Sequence, residues 1–246
     1  MWNKPHLLNA IADLLMLAAA AALLVAATVW LVRVPALPIE QVIFAEALPH
    51  TRRGEIEQVL PAALHGNFFS LNLEVVRGAL ETLPWVRKVE VRRVWPAKLE
   101  ISVEEHKPVA RWGDGRGELV NSYGEVFAAL LQDDEAQAMP LLFGPQGTAP
   151  EVLTHYGQFV GAFGPLGERP VQVTLSPRLA WQLKLQNGML VDIGREQPKS
   201  PVSERLQRFI NIYPETVGRQ PSRPAVVDLR YPNGFAMRVA SVAKGK

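Results

Sequence analysis

Between Leu14 and Val32 the chain runs nineteen residues, LLMLAAAAALLVAATVWLV, without a charge. At about 1.5 Å per residue, a helix of that length crosses the roughly 30 Å hydrocarbon core of a bilayer. A helix packed on a soluble core would carry a polar face, which this run lacks. A cleaved secretory signal has an apolar centre of only about 7–15 residues. The spacing therefore predicts a single transmembrane helix over residues 13–33, preceded by a tail of residues 1–12. Trp30 suits the membrane interface, and Asp13 falls at the expected helix start, where a carboxylate is favourable.

The rest of the chain is long enough to bury a real core. Lys and Arg number 26 against 24 Asp and Glu, a net charge of +2 with no dense basic run, which argues against nucleic acid as a partner. With no cysteine in the sequence, disulfides, thiolate nucleophiles and cysteine zinc sites are excluded.

After Pro35 and Pro38, the apolar stretch Ile39–Phe44 reads as a first strand. Thr51 is placed to cap a helix carrying Ile56, Val59 and Leu60, which Pro61 is expected to end. A second helix opens at Asn72, sets Val76, Ala79, Leu80 and Leu83 on one stripe, and stops at Pro84. The period then changes to two. Val89 and Val91 alternate with Lys88, Glu90 and Arg92, and Leu99, Ile101 and Val103 alternate with Lys98, Glu100 and Glu104. A hairpin pivoting on Pro96, within Trp95-Pro96-Ala97, sets Val91 opposite Ile101 and Val89 opposite Val103. The same register sets Arg92 opposite Glu100 and Lys88 opposite Glu104, each such pair contributing about 0.2–1 kcal/mol. Residues 38–107 thus form a compact strand–helix–helix–strand–strand module.

Residues 108–243 read as a second, β-rich domain, followed by a tail of residues 244–246. Glu118–Asn121 and Val126-Phe127 flank the turn Ser122-Tyr123-Gly124, and Leu141–Phe143 is a further short strand. Helical spacing recurs over Glu151–Phe163 and over Ser200–Tyr213. Val171–Leu175, Leu179–Leu185 and Leu190–Ile193 are strands, the last two joined through Asn187-Gly188. Val226–Tyr231 and Phe235–Val242 make a final hairpin around Pro232-Asn233-Gly234. A three-residue connection there pairs Tyr231 with Phe235, Leu229 with Met237 and Val227 with Val239, with Asp228 facing Arg238. A last strand of this kind tends to lie at or near a sheet edge, where unpaired backbone can template another chain; composition alone favours the alternative, an edge simply protected by Arg238 and the terminal lysines.

No arrangement of catalytic residues stands out, and no cofactor or metal site is expected. His6, His50, His65, His106 and His155 lie far apart without metal-helix spacing, so surface or structural roles are expected for them. Asp133-Asp134-Glu135 reads as a solvated acidic loop. Gly113-Asp114-Gly115-Arg116-Gly117 lacks the Lys-Ser/Thr of a phosphate loop and reads as a hairpin turn.

Several segments occur in a telling order. Leu83-Pro84-Trp85-Val86 is followed by Val91-Arg92-Arg93-Val94-Trp95-Pro96, Leu99-Glu100-Ile101, Glu105 and Pro108-Val109-Ala110-Arg111-Trp112. Then come Asn121-Ser122-Tyr123-Gly124-Glu125-Val126-Phe127, Pro140-Leu141-Leu142-Phe143-Gly144-Pro145, Trp181-Gln182-Leu183 and Val227-Asp228-Leu229-Arg230-Tyr231. Together they resemble the FtsQ/DivIB family of bacterial cell-division proteins over nearly the whole chain, anchor included.

The resemblance implies an α+β fold: a transmembrane helix, a POTRA module (β-α-α-β-β), then a β-rich domain with an antiparallel sheet and flanking helices. It implies a single-pass inner-membrane protein at the division septum, with a short cytoplasmic N-terminus and periplasmic main domains. Lys4 and Arg33 flank the span and leave orientation open, so the topology rests on the resemblance. The implied role is a non-enzymatic scaffold of the divisome that recruits FtsB and FtsL by β-strand addition, with no nucleic acid or small-molecule substrate. The FtsB-binding residues implied are Arg178, Arg230, Tyr231, Asn233, Gly234, Phe235, Met237 and Val239. Some relatives carry an aromatic anchor near the end of the last strand where this chain has Val239, which would weaken that contact. Arg87, Lys88 and Arg92 offer a second contact surface, equally read as a solvated strand face. The alternatives are a POTRA-bearing part of an outer-membrane or secretion assembly, and a membrane-anchored periplasmic enzyme.

Overall fold

The computed structural model describes residues 5–33, 38–114, 117–218, 224–231 and 234–239. The chain divides into two compact units, residues 1–105 and 106–246. Helix α1 (Pro5–Arg33) contains the segment His6–Trp30, long and apolar enough to cross a membrane, and none of that segment is buried in the protein. The helix starts at Pro5, so Asp13 lies two turns inside it instead of at its N-terminus.

In the first unit, β1 (Gln41–Phe44), α2 (Arg53–Ala63), α3 (Leu73–Leu80), β2 (Val86–Val94) and β3 (Lys98–Glu105) follow in the expected order. The sheet order is β1-β3-β2, with β1 parallel to β3 and β2 antiparallel to it. Ile56, Leu60, Val76, Leu80, Val89, Leu99, Ile101 and Val103 close the core between helices and sheet. The side chain of Asn72 caps α3 by accepting the Glu74 amide at 3.0 Å.

Three local expectations fail here. Helix α3 ends at Leu80, short of Leu83 and Pro84. Thr51 does not cap α2; Arg52 occupies that position, because the Thr51 amide is held by the Glu105 carboxylate at 2.8 Å. Pro61 does not end α2 either, which continues over it to Ala63.

The β2–β3 register is the Pro96-centred one, with Val91 against Ile101, Val89 against Val103, Arg92 against Glu100 and Lys88 against Glu104. A bulge between Val86 and Lys88 changes the charge pairing at the far end. Arg87 reaches Glu104 at 3.0 Å, while Lys88 turns to Glu90 at 2.7 Å. Arg92 does grip Glu100 with two bonds of 2.9 and 2.7 Å. All three cations proposed for a second contact surface are thus engaged within their own sheet.

The second unit is a nine-stranded sheet in the order β12-β11-β10-β9-β8-β7-β4-β5-β6. Its strands are β4 (Pro108–Trp112), β5 (Glu118–Asn121), β6 (Val126–Ala128), β7 (Leu141–Phe143), β8 (Pro170–Leu175), β9 (Ala180–Leu185), β10 (Leu190–Arg195), β11 (Pro224–Asp228) and β12 (Ala236–Val239). The helices are α4 (Asp133–Ala138), α5 (Ala149–Phe163) and α6 (Val202–Ile212). The acidic run expected as a loop is the first turn of α4, where carboxylates oppose the exposed amide ends.

The sheet is mixed, not antiparallel throughout. Pairs β4–β7, β7–β8 and β10–β11 are parallel. Parallel neighbours need a crossover, which α5 supplies between β7 and β8 and α6 between β10 and β11. Both helices cover one face, where Phe159, Phe163 and Phe209 are fully buried. Beneath them runs a row of paired apolar residues across five strands, Val173, Leu183, Val191, Val227 and Met237.

The final hairpin departs from the expected register by two residues. Val227 pairs with Met237 and Asp228 with Ala236, so Asp228 does not face Arg238. A shift of two leaves every side chain on its original face, so alternation alone does not distinguish the two registers. The local cause is Asp228. Its carboxylate accepts the Arg230 amide at 3.0 Å and the Arg230 guanidinium at 2.8 and 2.5 Å. That turn, formed by a side chain on its own backbone, ends β11 before Leu229. Leu229 then buries its side chain in the core, and its amide donates to the Asp192 carbonyl at 2.8 Å.

Candidate functional site

Strand β12 is the last member of its sheet; among the described residues it pairs only with β11. Among the described residues, one side of its backbone ladder thus has no neighbouring strand, an arrangement that can template a further one. Along β12, Ala236 and Arg238 are exposed while Met237 packs partly on the core.

Phe235 turns inward too, edge-on to Phe209 at 5.3 Å between ring centroids. It anchors the start of β12 to α6. Gly234 is half-buried; Val239 stands opposite Pro224 in the ladder; Asn233 lies outside the described residues. Phe235 and Met237 thus serve the core with their side chains.

The exposed side chains gather at one end of the sheet. Arg178 sits in the β8–β9 turn, just before Ala180, which pairs with Arg195 at the end of β10. Asp192 of β10 pairs in parallel with Asp228 of β11, so Arg230 and Tyr231 emerge at that same end. Only β10 separates β9 from β11, a spacing of about 10 Å. Tyr231 is 54% exposed, and Arg178 is exposed as well.

Arg230 is fixed rather than loose. It neutralises Asp228, which holds the carboxyl below its usual range and pushes the guanidinium further up. Its aliphatic stem lies over Gly194, where a Cβ would meet Arg230 Cγ at 2.9 Å. Gly194 has φ +87° and sits at the β9–β10 bulge. The sequence reading missed Gly194 and Asp192; an isolated glycine near a strand end was the available signal for a bulge or a close approach. It also missed Leu179, beside Arg178, which is exposed with φ 58°.

Three of the five histidines have local structural partners. His50 stacks on Trp85 and bonds Glu105, His106 stacks on Phe127 and bonds Asn121, and His155 stacks on Trp181.

Residues 37–106 match the family model described as POTRA domain, FtsQ-type, and residues 110–230 match that for the C-terminal part of cell division protein FtsQ/DivIB. The cell division protein FtsQ of Burkholderia pseudomallei is 38% identical over 98% of this chain and 96% of its own length. That of Nitrosospira multiformis is 37% identical over 97% and 99% respectively. The chain belongs to the FtsQ/DivIB family. FtsQ of Bordetella pertussis is likewise similar, at 35% identity over 98% of this chain and 93% of its own length. The FtsQ/DivIB C-terminal model stops at Arg230, so it includes Arg178 and Arg230 but not Tyr231 or β12. The chain is thus a cell-division protein of the FtsQ type, with an N-terminal helix long and apolar enough to cross a membrane.

Proposed function

We propose that this protein is a non-enzymatic, single-pass scaffold of the divisome that recruits FtsB and FtsL, with a strand of FtsB extending the sheet at β12. The N-terminal tail is cytoplasmic in this reading, and both folded units lie in the periplasm at the septum. The edge position of β12 carries the proposal, since its outward amides and carbonyls match the needs of an added strand. Arg178, Arg230 and Tyr231 stand at the end where β12 begins. There they supply a planar cation and an aromatic ring, groups that anchor many interfaces. Gly234 and Asn233 belong to the connection between the last two strands.

Proline substitution tests the backbone contact. Amides alternate in direction along a strand, so of Met237→Pro and Arg238→Pro one removes an outward donor and the other a donor to β11. The outward variant should lose far more capture of FtsB than alanine at the same position, which removes the same side chain but keeps the amide. Retained capture by both variants would refute strand addition.

A further inference from the structure

Phe69 and Trp95 are exposed aromatic rings, 46% and 67% accessible, on a unit whose other large rings are mostly covered. Their positions are built, not incidental. The side chain of Asn67 accepts the Phe69 and Ser70 amides at 2.9 and 2.8 Å. Arg93 of β2 donates to the carbonyls of Phe68, Phe69 and Leu71 at 2.6, 3.4 and 2.5 Å. This clamp holds the loop against the sheet with Phe69 outward. Buried Phe68 supports both rings edge-on, at 5.3 Å from Phe69 and 5.9 Å from Trp95.

The pair also lies where the chain enters the unit. Trp95 belongs to the turn between β2 and β3, and the Glu40 amide, just ahead of β1, donates to Ala97 of that turn at 2.9 Å. Gln41 stands beside Lys98 in the parallel β1–β3 pair. Seven residues take the chain from Arg33, the end of α1, to Glu40, a reach of at most about 25 Å. If α1 spans the membrane, this pole is the one tethered next to the bilayer surface.

We infer that Phe69 and Trp95 form a membrane-facing contact that rests the first unit on the headgroup layer. This rests on the proposed membrane anchoring by α1. Aromatic rings are favoured at that depth, partly in hydrocarbon and partly in water. Lys98 opens β3 at the same pole and suits anionic headgroups. The contact sets the orientation in which a tethered unit stands on the surface.

Photo-crosslinking of the full chain in nanodiscs of phosphatidylethanolamine and phosphatidylglycerol tests this. p-Benzoylphenylalanine is placed singly at Phe69, Trp95, Leu23 within α1, and Thr82, which lies near the start of β2 and so at the opposite pole of the unit. Lipid adducts, read by mass spectrometry, should form at Leu23 and, at least tenfold above Thr82, at Phe69 and Trp95. Adducts at Leu23 with only the Thr82 level at both aromatic positions would overturn the inference and leave the anchor standing. The absence of adducts at Leu23 would remove the anchor reading and this inference with it. Repeating the experiment in native membranes separates a lipid surface from a protein partner: protein adducts replacing lipid ones at Phe69 and Trp95 would also overturn it.

Discussion

Arg230 folds back onto Asp228, two residues before it, with Nε 2.8 Å from Oδ1 and Nη2 2.5 Å from Oδ2, while its own amide binds the same Oδ1 at 3.0 Å. This arrangement ends the penultimate strand, aims the chain toward Tyr231, and sets where β12 begins.

Acid should release it. The folded-state pKa of Asp228 is depressed, first by the Arg230 hydrogen bonds and against the opposing effect of burial. Its contribution is therefore complete above the unfolded aspartate value of about 3.9 and is lost as pH falls through the lower folded value. The protection of the Arg230 amide, its exchange measured against the intrinsic rate at the same pH, should be high at pH 6 and fall as pH drops below about 3.9 through the lower folded value. In Asp228→Ala, which has no side-chain acceptor, that protection should be absent at both.

Gly194→Ala should disturb this end of the sheet from the opposite side. Its φ of +87° strains any Cβ-bearing residue, and the new methyl would strike Arg230 Cγ. A loss of about 1–3 kcal/mol is expected in thermal or urea unfolding. Arg230→Ala in the same background should recover the steric part of that loss but not the backbone part.

Tyr231→Ala and Arg178→Glu should each weaken FtsB capture by roughly 5–30-fold, equivalent to about 1–2 kcal/mol. Both side chains are exposed, so melting temperature should hardly change. Pull-down with purified FtsB alongside calorimetry measures the two together; unchanged capture by both would move the site elsewhere.

Glu105 secures the first unit. Burial alone would raise its pKa, but donors from Thr51 and His50 prevail and lower it. The carboxylate accepts the Thr51 amide at 2.8 Å, the His50 amide at 3.2 Å and His50 Nδ1 at 3.0 Å. Glu105→Gln turns a donor toward these donors and should cost about 1.5–3 kcal/mol at neutral pH. The difference from the parent should shrink as pH drops below about 4.3, the unfolded glutamate value, and through the lower folded value.

The first unit was legible in its sequence because its cues agree. Val89, Val91, Ile101 and Val103 alternate, the connection is three residues long, and Arg92 and Glu100 pair only in one register. The candidate site was legible only as a location. Arg178 and Tyr231 are 53 positions apart in the chain, and nothing local signals that β9, β10 and β11 bring them to one end.

Sequence alone determined the apolar span, the β-α-α-β-β order and the inward faces of most strands, since each follows from residue periodicity within a few neighbours. Tertiary structure decided the parallel pairing of β10 with β11 and the register of the last hairpin. The first depends on α6 crossing over to pack Phe209 on the sheet. The second depends on Asp228 taking the Arg230 amide, a choice between two registers that leave the same side chains facing the core.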